Sequence, residues 1–103
     1  MNENFIGKRV TELRLKKGVS EYKMSLDMGH SSSYINSIAS GKSLPSLGEF
    51  LYMCEYFEIT PKDFFDIDNE DPQPVRELYE LIKRLRPEEI KPLVEIAKIL
   101  SEK

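Results

Sequence analysis

The stretch that decides the fold runs Ser20-Glu21-Tyr22-Lys23-Met24-Ser25-Leu26-Asp27-Met28-Gly29-His30-Ser31-Ser32-Ser33-Tyr34-Ile35-Asn36-Ser37-Ile38-Ala39-Ser40-Gly41. Ser20 has the short oxygen-bearing side chain that satisfies free N–H groups at a helix start. A helix over Glu21 to Met28 follows, with Met24 and Met28 four residues apart on its inward side. Gly29 stops it, and His30 falls in the turn. Ser31 caps the next helix, which runs through Ala39 or Ser40 with Ile35 and Ile38 inward. Gly41 terminates it.

Helical spacing continues on both sides. Ile6, Val10 and Leu13 mark the buried face of a helix from Phe5 to Lys17, and Gly18 supplies its turn. Pro45 and Ser46 begin another, with Leu47, Phe50, Leu51, Met53, Cys54 and Phe57 available to a core. Thr60 caps a short last helix with Pro61 at its first position, Asp63 in its first turn, and Phe64 and Phe65 packing back. No useful length shows the period-2 alternation of a strand. The expected organisation is a helical domain over residues 1–66, an acidic, proline-bearing linker over 67–74 and a helical extension over 75–103.

Composition narrows the function. The 103 residues hold 15 bases and 18 acids, a net charge of −3, and 40% are apolar, enough for a modest core. No apolar run approaches the roughly 18 residues of a membrane span, and Met1-Asn2-Glu3-Asn4 lacks the basic-then-apolar pattern of a signal peptide. A soluble cytoplasmic protein is expected. A single cysteine excludes an internal disulfide framework, and one histidine makes a His-based triad or metal cluster hard to assemble. The reading is therefore non-enzymatic, with no cofactor, no metal and no small-molecule substrate. From Lys8 to Lys23, six bases stand against two acids, so an acidic chain still carries a local basic patch.

Five short helices with a tight turn between the second and third describe a helix-turn-helix. Residues 6–65 resemble the phage-repressor-type domain of the Cro/Xre class. The resemblance is carried by Ile6-Gly7-Lys8-Arg9-Val10, Leu13-Arg14, Lys17-Gly18-Val19-Ser20, Gly29, Ser33-Tyr34-Ile35, Ile38, Gly41-Lys42 and Pro45-Ser46-Leu47. It implies an all-α fold: a five-helix, lambda-repressor-like domain followed by the C-terminal helical extension. It also implies double-stranded DNA as partner.

By position the third helix offers Ser32, Ser33, Asn36 and Ser37 to a major groove. The resemblance puts Ser32, Ser33 and Ser37 at base-reading positions, and Asn36 is the one amide able to pair bidentately with adenine. Phosphate contacts are expected near Ser20 and Ser31, at Tyr34, and from Lys42 and Ser43 in the following loop. Arg9, Arg14, Lys17 and Lys23 are secondary candidates. Three departures set this chain apart: Glu21 stands where glutamine is frequent, Ser25 and Asp27 make the helix pair more polar, and residues 24–41 contain no Lys or Arg. Two readings follow: a dimeric DNA-binding repressor, or a helix-turn-helix scaffold used as a protein-interaction module, antitoxin-like or regulator-binding.

His30, with no obvious acidic partner in sequence, reads as a packed turn residue, and Cys54 as a buried thiol. Asp66, Asp68 and Glu70 alternate as in a calcium loop, but its glycine and bidentate glutamate are missing. In the extension, Val75, Leu78, Tyr79, Ile82 and Leu85 keep helical spacing. Pro87 restarts the chain, and the last helix is expected to begin a few residues before Pro92. Leu93, Ile96, Ala97 and Leu100 form its stripe. So short a helical pair cannot build its own core, and homodimerisation is the preferred expectation. A dimer would place two reading helices about 34 Å apart.

Overall fold

Backbone meets backbone where Gly7 of the first helix, α1 (Phe5–Lys17), lies against the end of the third, α3 (Tyr34–Ala39). A Cβ at position 7 would stand 2.6 Å from the Ile38 carbonyl oxygen and 2.7 Å from that of Ala39, so glycine alone allows the approach. The computed structural model describes residues 4–102; Met1, Asn2 and Glu3, on which the leader reading rests, and Lys103 lie outside them. The remaining helices are α2 (Glu21–Asp27), α4 (Leu47–Phe57), α5 (Pro61–Phe65), α6 (Pro72–Ile82) and α7 (Pro87–Ser101). No strand occurs among the described residues. The chain divides into two units, Met1–Gln73 and Pro74–Lys103.

In the first unit the expected punctuation is in place. Gly18 ends α1 at φ 78°, and the Ser20 hydroxyl accepts from the Lys23 amide at 2.9 Å. Ser46 caps α4, and Thr60 and Asp63 exchange hydrogen bonds as a capping box at α5. Val10, Leu13, Met24, Ile35, Ile38, Met53 and Phe64 form the buried core. α1 packs on α3 and α4, α2 on α3, and α4 on α5.

Several expectations need correction. α3 begins at Tyr34, with Ser33 rather than Ser31 at the cap position and no side-chain cap bond. Ser31 instead opens a turn, its carbonyl accepting from the Tyr34 amide at 3.1 Å. Leu47 and Leu51 do not join the core; they are 74% and 47% exposed. The polar Ser25 is fully buried, and its hydroxyl does specific work. It donates to the Glu21 carbonyl at 2.7 Å and accepts from the Ile35 amide at 3.0 Å, tying α2 to the first turn of α3.

Arg9 is the largest departure. It is buried, not turned to a phosphate. Its guanidinium pairs with Glu12 and donates to the carbonyls of Phe64 (2.6 Å), Asp63 (2.7 Å), Asn69 (2.9 Å) and Asp66 (3.2 Å). These carbonyls close the C-terminal end of α5 and the segment after it, where a cation complements both the dipole and the unpaired oxygens. Part of the stretch read as linker is therefore held, and α6 begins inside it at Pro72.

The second unit contains the rest of α6 and all of α7. The restart at Pro87 is as expected, and the Glu89 carboxylate accepts from the Arg86 amide at 2.9 Å. Pro92 is the sixth residue of α7, so the Glu88 carbonyl lacks its usual intrahelical donor. No α7 residue is buried.

Candidate nucleic-acid interface

Two short helices and the turn between them carry the expected reading residues, and hydrogen bonds fix the turn before any side chain acts. Gly29 takes φ 77°, and the His30 amide donates to the Ser25 carbonyl at 3.0 Å. The His30 ring stacks on Tyr34 with centroids 3.7 Å apart, and its Nε2 lies 2.9 Å from a Glu49 carboxylate oxygen. Sequence alone did not pair His30 with Glu49, because Glu49 arrives from α4. The histidine thus links the turn, the first residue of α3 and the first turn of α4.

Ser31, Ser32, Ser33 and Asn36 are exposed, Ser37 is half-buried, and Ile35 and Ile38 fill the opposite side of α3. Short hydroxyls therefore line an open start to the helix. Asn36 and Glu21, treated separately in the sequence, meet here: the amide nitrogen donates to the carboxylate at 3.2 Å. One amide N–H and the carbonyl oxygen of Asn36 remain for another partner. Ser31 and Ser33 hydroxyls lie 3.5 Å apart.

The expected phosphate residues divide. Lys42 and Ser43 are exposed, and their amides donate to the Ser37 carbonyl at 2.9 and 3.1 Å, so the C-terminal end of α3 positions this loop. Ser20 spends its hydroxyl oxygen on the Lys23 amide. Arg14 is half-buried and donates to the Val19 carbonyl at 2.7 Å, which directs its guanidinium at its own chain. The Tyr34 hydroxyl is buried with no hydrogen-bond partner, so it offers nothing to a phosphate. Burial, and then Glu49, raise its pKa above the usual tyrosine value. Lys17 is exposed with its ammonium 4.9 Å from the Tyr56 ring centre.

Beside this surface, the Tyr56 hydroxyl donates to Asp27 at 2.7 Å and Lys23 pairs with the same carboxylate at 3.2 Å. The tyrosine bond first, and Lys23 second, hold the Asp27 carboxyl below its ordinary pKa. Asp27 is thus neutralised by neighbours on α2 and α4, not left as a free charge. Cys54 is buried, and burial followed by Asp63 pushes its thiol up to about 11.

A family model described as helix-turn-helix matches residues 10–64, more than half of the chain. The chain belongs to the helix-turn-helix family of the phage-repressor, Cro/Xre class. Comparison with curated proteins gives no match, and comparison with solved structures gives none either. As a helix-turn-helix regulator the protein binds DNA, and its all-helical first unit is of the lambda-repressor type. No helix among the described residues is long and apolar enough to cross a membrane.

Reasoning from sequence missed three functional-site relationships: Glu21 with Asn36, His30 with Glu49, and Ser25 with the Ile35 amide. Only the last had a local signal. A serine at an inward position, one residue after buried Met24, has to find a hydrogen-bond partner.

Proposed function

We propose that this helix-turn-helix protein is a sequence-specific transcriptional repressor that acts in the cytoplasm as a homodimer on double-stranded DNA. The observation that carries the reading is the open polar start of α3, with Ser32, Ser33 and Asn36 exposed and Ile35 and Ile38 buried behind them. Asn36, Ser32, Ser33 and Ser37 read base edges, while Lys42, Ser43, Ser31, Lys17 and the backbone near Ser20 meet phosphates. Arg14 and Tyr34 serve the scaffold. Repression follows from occupancy, because a protein seated in successive major grooves blocks polymerase from the same duplex.

Selection of bound duplexes from a random pool tests this directly. A recovered palindrome is the expected result; no enrichment at all rejects sequence-specific reading. About four to six phosphate contacts per half-site complex would give a log–log salt slope of about −4 to −5. A binding constant indifferent to salt contradicts the phosphate roles.

A second reading, a helix-turn-helix module that binds another protein, draws on the Glu21 carboxylate beside Asn36 and the absence of any Lys or Arg from residues 24–41. Failure of the duplex selection would favour it.

A further inference from the structure

Ser20, Ser46 and Thr60 start α2, α4 and α5 in one way. They stand at ψ 163°, 164° and 161°, and each side-chain oxygen accepts from the amide three residues on, at 2.9, 3.1 and 3.1 Å. Ser33, at the same position before α3, does otherwise. Its ψ is 0° and its side chain makes no bond to the helix. The Ile35 amide, one of the two that a capping side chain at Ser33 would serve, donates instead to the Ser25 hydroxyl of α2 at 3.0 Å. Ser25 and Ile35 are both 0% exposed, so no water competes for that bond. The Tyr34 amide is met by the Ser31 carbonyl at 3.1 Å. α3 is therefore capped from another helix, and the serine triplet is released from that duty. Among the described residues no hydrogen bond holds the Ser32 hydroxyl, and those of Ser31 and Ser33 meet only each other, at 3.5 Å.

We propose that Ser25, which is too buried for any duplex to touch, is a positioning residue that sets base preference by sparing these hydroxyls for DNA. The inference rests on the base-reading role of Ser32 and Ser33 proposed above and assigns what keeps them available. A fully enclosed serine is retained where both its proton and its lone pair are used. Ser25 uses both, on the Glu21 carbonyl at 2.7 Å and the Ile35 amide. Without the hydroxyl, the Ile35 N–H is left with no acceptor in a dry site, the costly kind of loss. The acceptor the chain can supply in its place is Ser33. Its ψ would have to swing from 0° to the extended value of Ser20, Ser46 and Thr60. That swing breaks the turn bond between the Ser31 carbonyl and the Tyr34 amide and carries Ser32 with it. The Ser33 oxygen is then occupied by its own helix. A buried atom on α2 thus decides which hydroxyls the open start of α3 offers.

Duplex selection from a random pool, run on the full chain and three variants, tests the proposal. Ser25→Ala removes one oxygen and adds no bulk. It is expected to lose about fivefold or more of the discrimination at the base pair that Ser33→Ala also affects, with the salt slope of wild type. Thr60→Ala removes an ordinary cap on α5 and is expected to keep the wild-type preference. A merely structural Ser25 would behave as Thr60 does, with lower stability and the same preference, and that result overturns the proposal. Amide exchange without DNA gives a second reading. Relative to the Val10 amide on α1, that of Ile35 should exchange at least about tenfold faster in Ser25→Ala than in wild type. An Ile35 amide as slow as in wild type shows that Ser25 does not cap α3, and overturns the proposal as well. A wild-type chain that enriches no sequence overturns the base-reading role itself. A wild type that enriches an operator which Ser25→Ala reads with equal discrimination overturns this inference alone.

Discussion

The Asn36 amide nitrogen donates to the Glu21 carboxylate at 3.2 Å, across fifteen positions of sequence. This bond decides which way the amide faces. With one N–H held by Glu21, the carbonyl oxygen and the second N–H of this exposed residue remain for another partner. Those are the two groups a bidentate contact with adenine needs. On the DNA-reading role proposed above, Glu21 would have two effects: it would repel nearby phosphate and it would orient Asn36.

The two effects separate by mutation. Glu21→Gln removes the charge and keeps an acceptor for Asn36. Binding to all duplexes should tighten by about 1 kcal/mol, the scale of one unscreened surface charge, with the preferred sequence unchanged. Asn36→Ala should lose about 1–3 kcal/mol of discrimination at one base position, whereas Lys42→Ala should weaken every duplex alike. Competition titrations against a panel of point-changed operators distinguish these patterns. Identical profiles for Asn36→Ala and Lys42→Ala would reject the assigned roles.

Arg9→Ala leaves the carbonyls of Asp63, Phe64, Asp66 and Asn69 without their common donor. Each unsatisfied polar group costs energy, partly recovered from water at this half-open edge, so a loss of about 3 kcal/mol is expected. The urea midpoint should fall while its slope is kept. A drop below about 1 kcal/mol would show that the clamp contributes little to folding.

Gly7→Ala drives a methyl into the Ile38 and Ala39 carbonyls. Neither is the end of a flexible side chain, so α1 and α3 have to separate. The expected cost is about 2–3 kcal/mol, the range for overpacking a tight contact. Because α3 is displaced directly, operator affinity should fall with stability. A variant as stable as wild type would disprove the close approach.

The Tyr56–Asp27 bond predicts a two-sided pH profile. Asp27 has a folded pKa below its ordinary 3.8, so its contribution is present above that value and lost as pH falls through the folded one. Burial, and then the bond to Asp27, raise Tyr56 from 10.0 to about 12, so its contribution is present below pH 10 and lost as pH climbs toward about 12. The Tm difference between wild type and Tyr56→Phe should be level between these limits and shrink at both ends. A difference that is flat across the acid range would contradict the pairing.

Helix limits were legible where a local cause sets them. Gly18, Ser20, Ser46 and Thr60 act within three or four residues of themselves, and each punctuates its helix as its chemistry dictates. α3 was misplaced at its start because three consecutive serines are all competent caps. The choice among them falls to the Ser25 hydroxyl, which captures the Ile35 amide from another helix. Arg9 was unreadable for the same kind of reason: the carbonyls it donates to lie more than fifty residues away. Exposure of Ser32 and Asn36 followed from the period of Ile35 and Ile38. The partner of Asn36 did not, since the contact depends on how α2 crosses α3.

The absence of Lys and Arg from residues 24–41 has a consequence at the scale of the chromosome. Attraction to arbitrary sequence scales with the number of counterions released, and α3 itself contributes no cation to that count. For the repressor proposed above, Lys17 and Lys42 would have to supply that attraction, and bulk genomic DNA would compete for the protein less than it does for a regulator whose reading helix is basic.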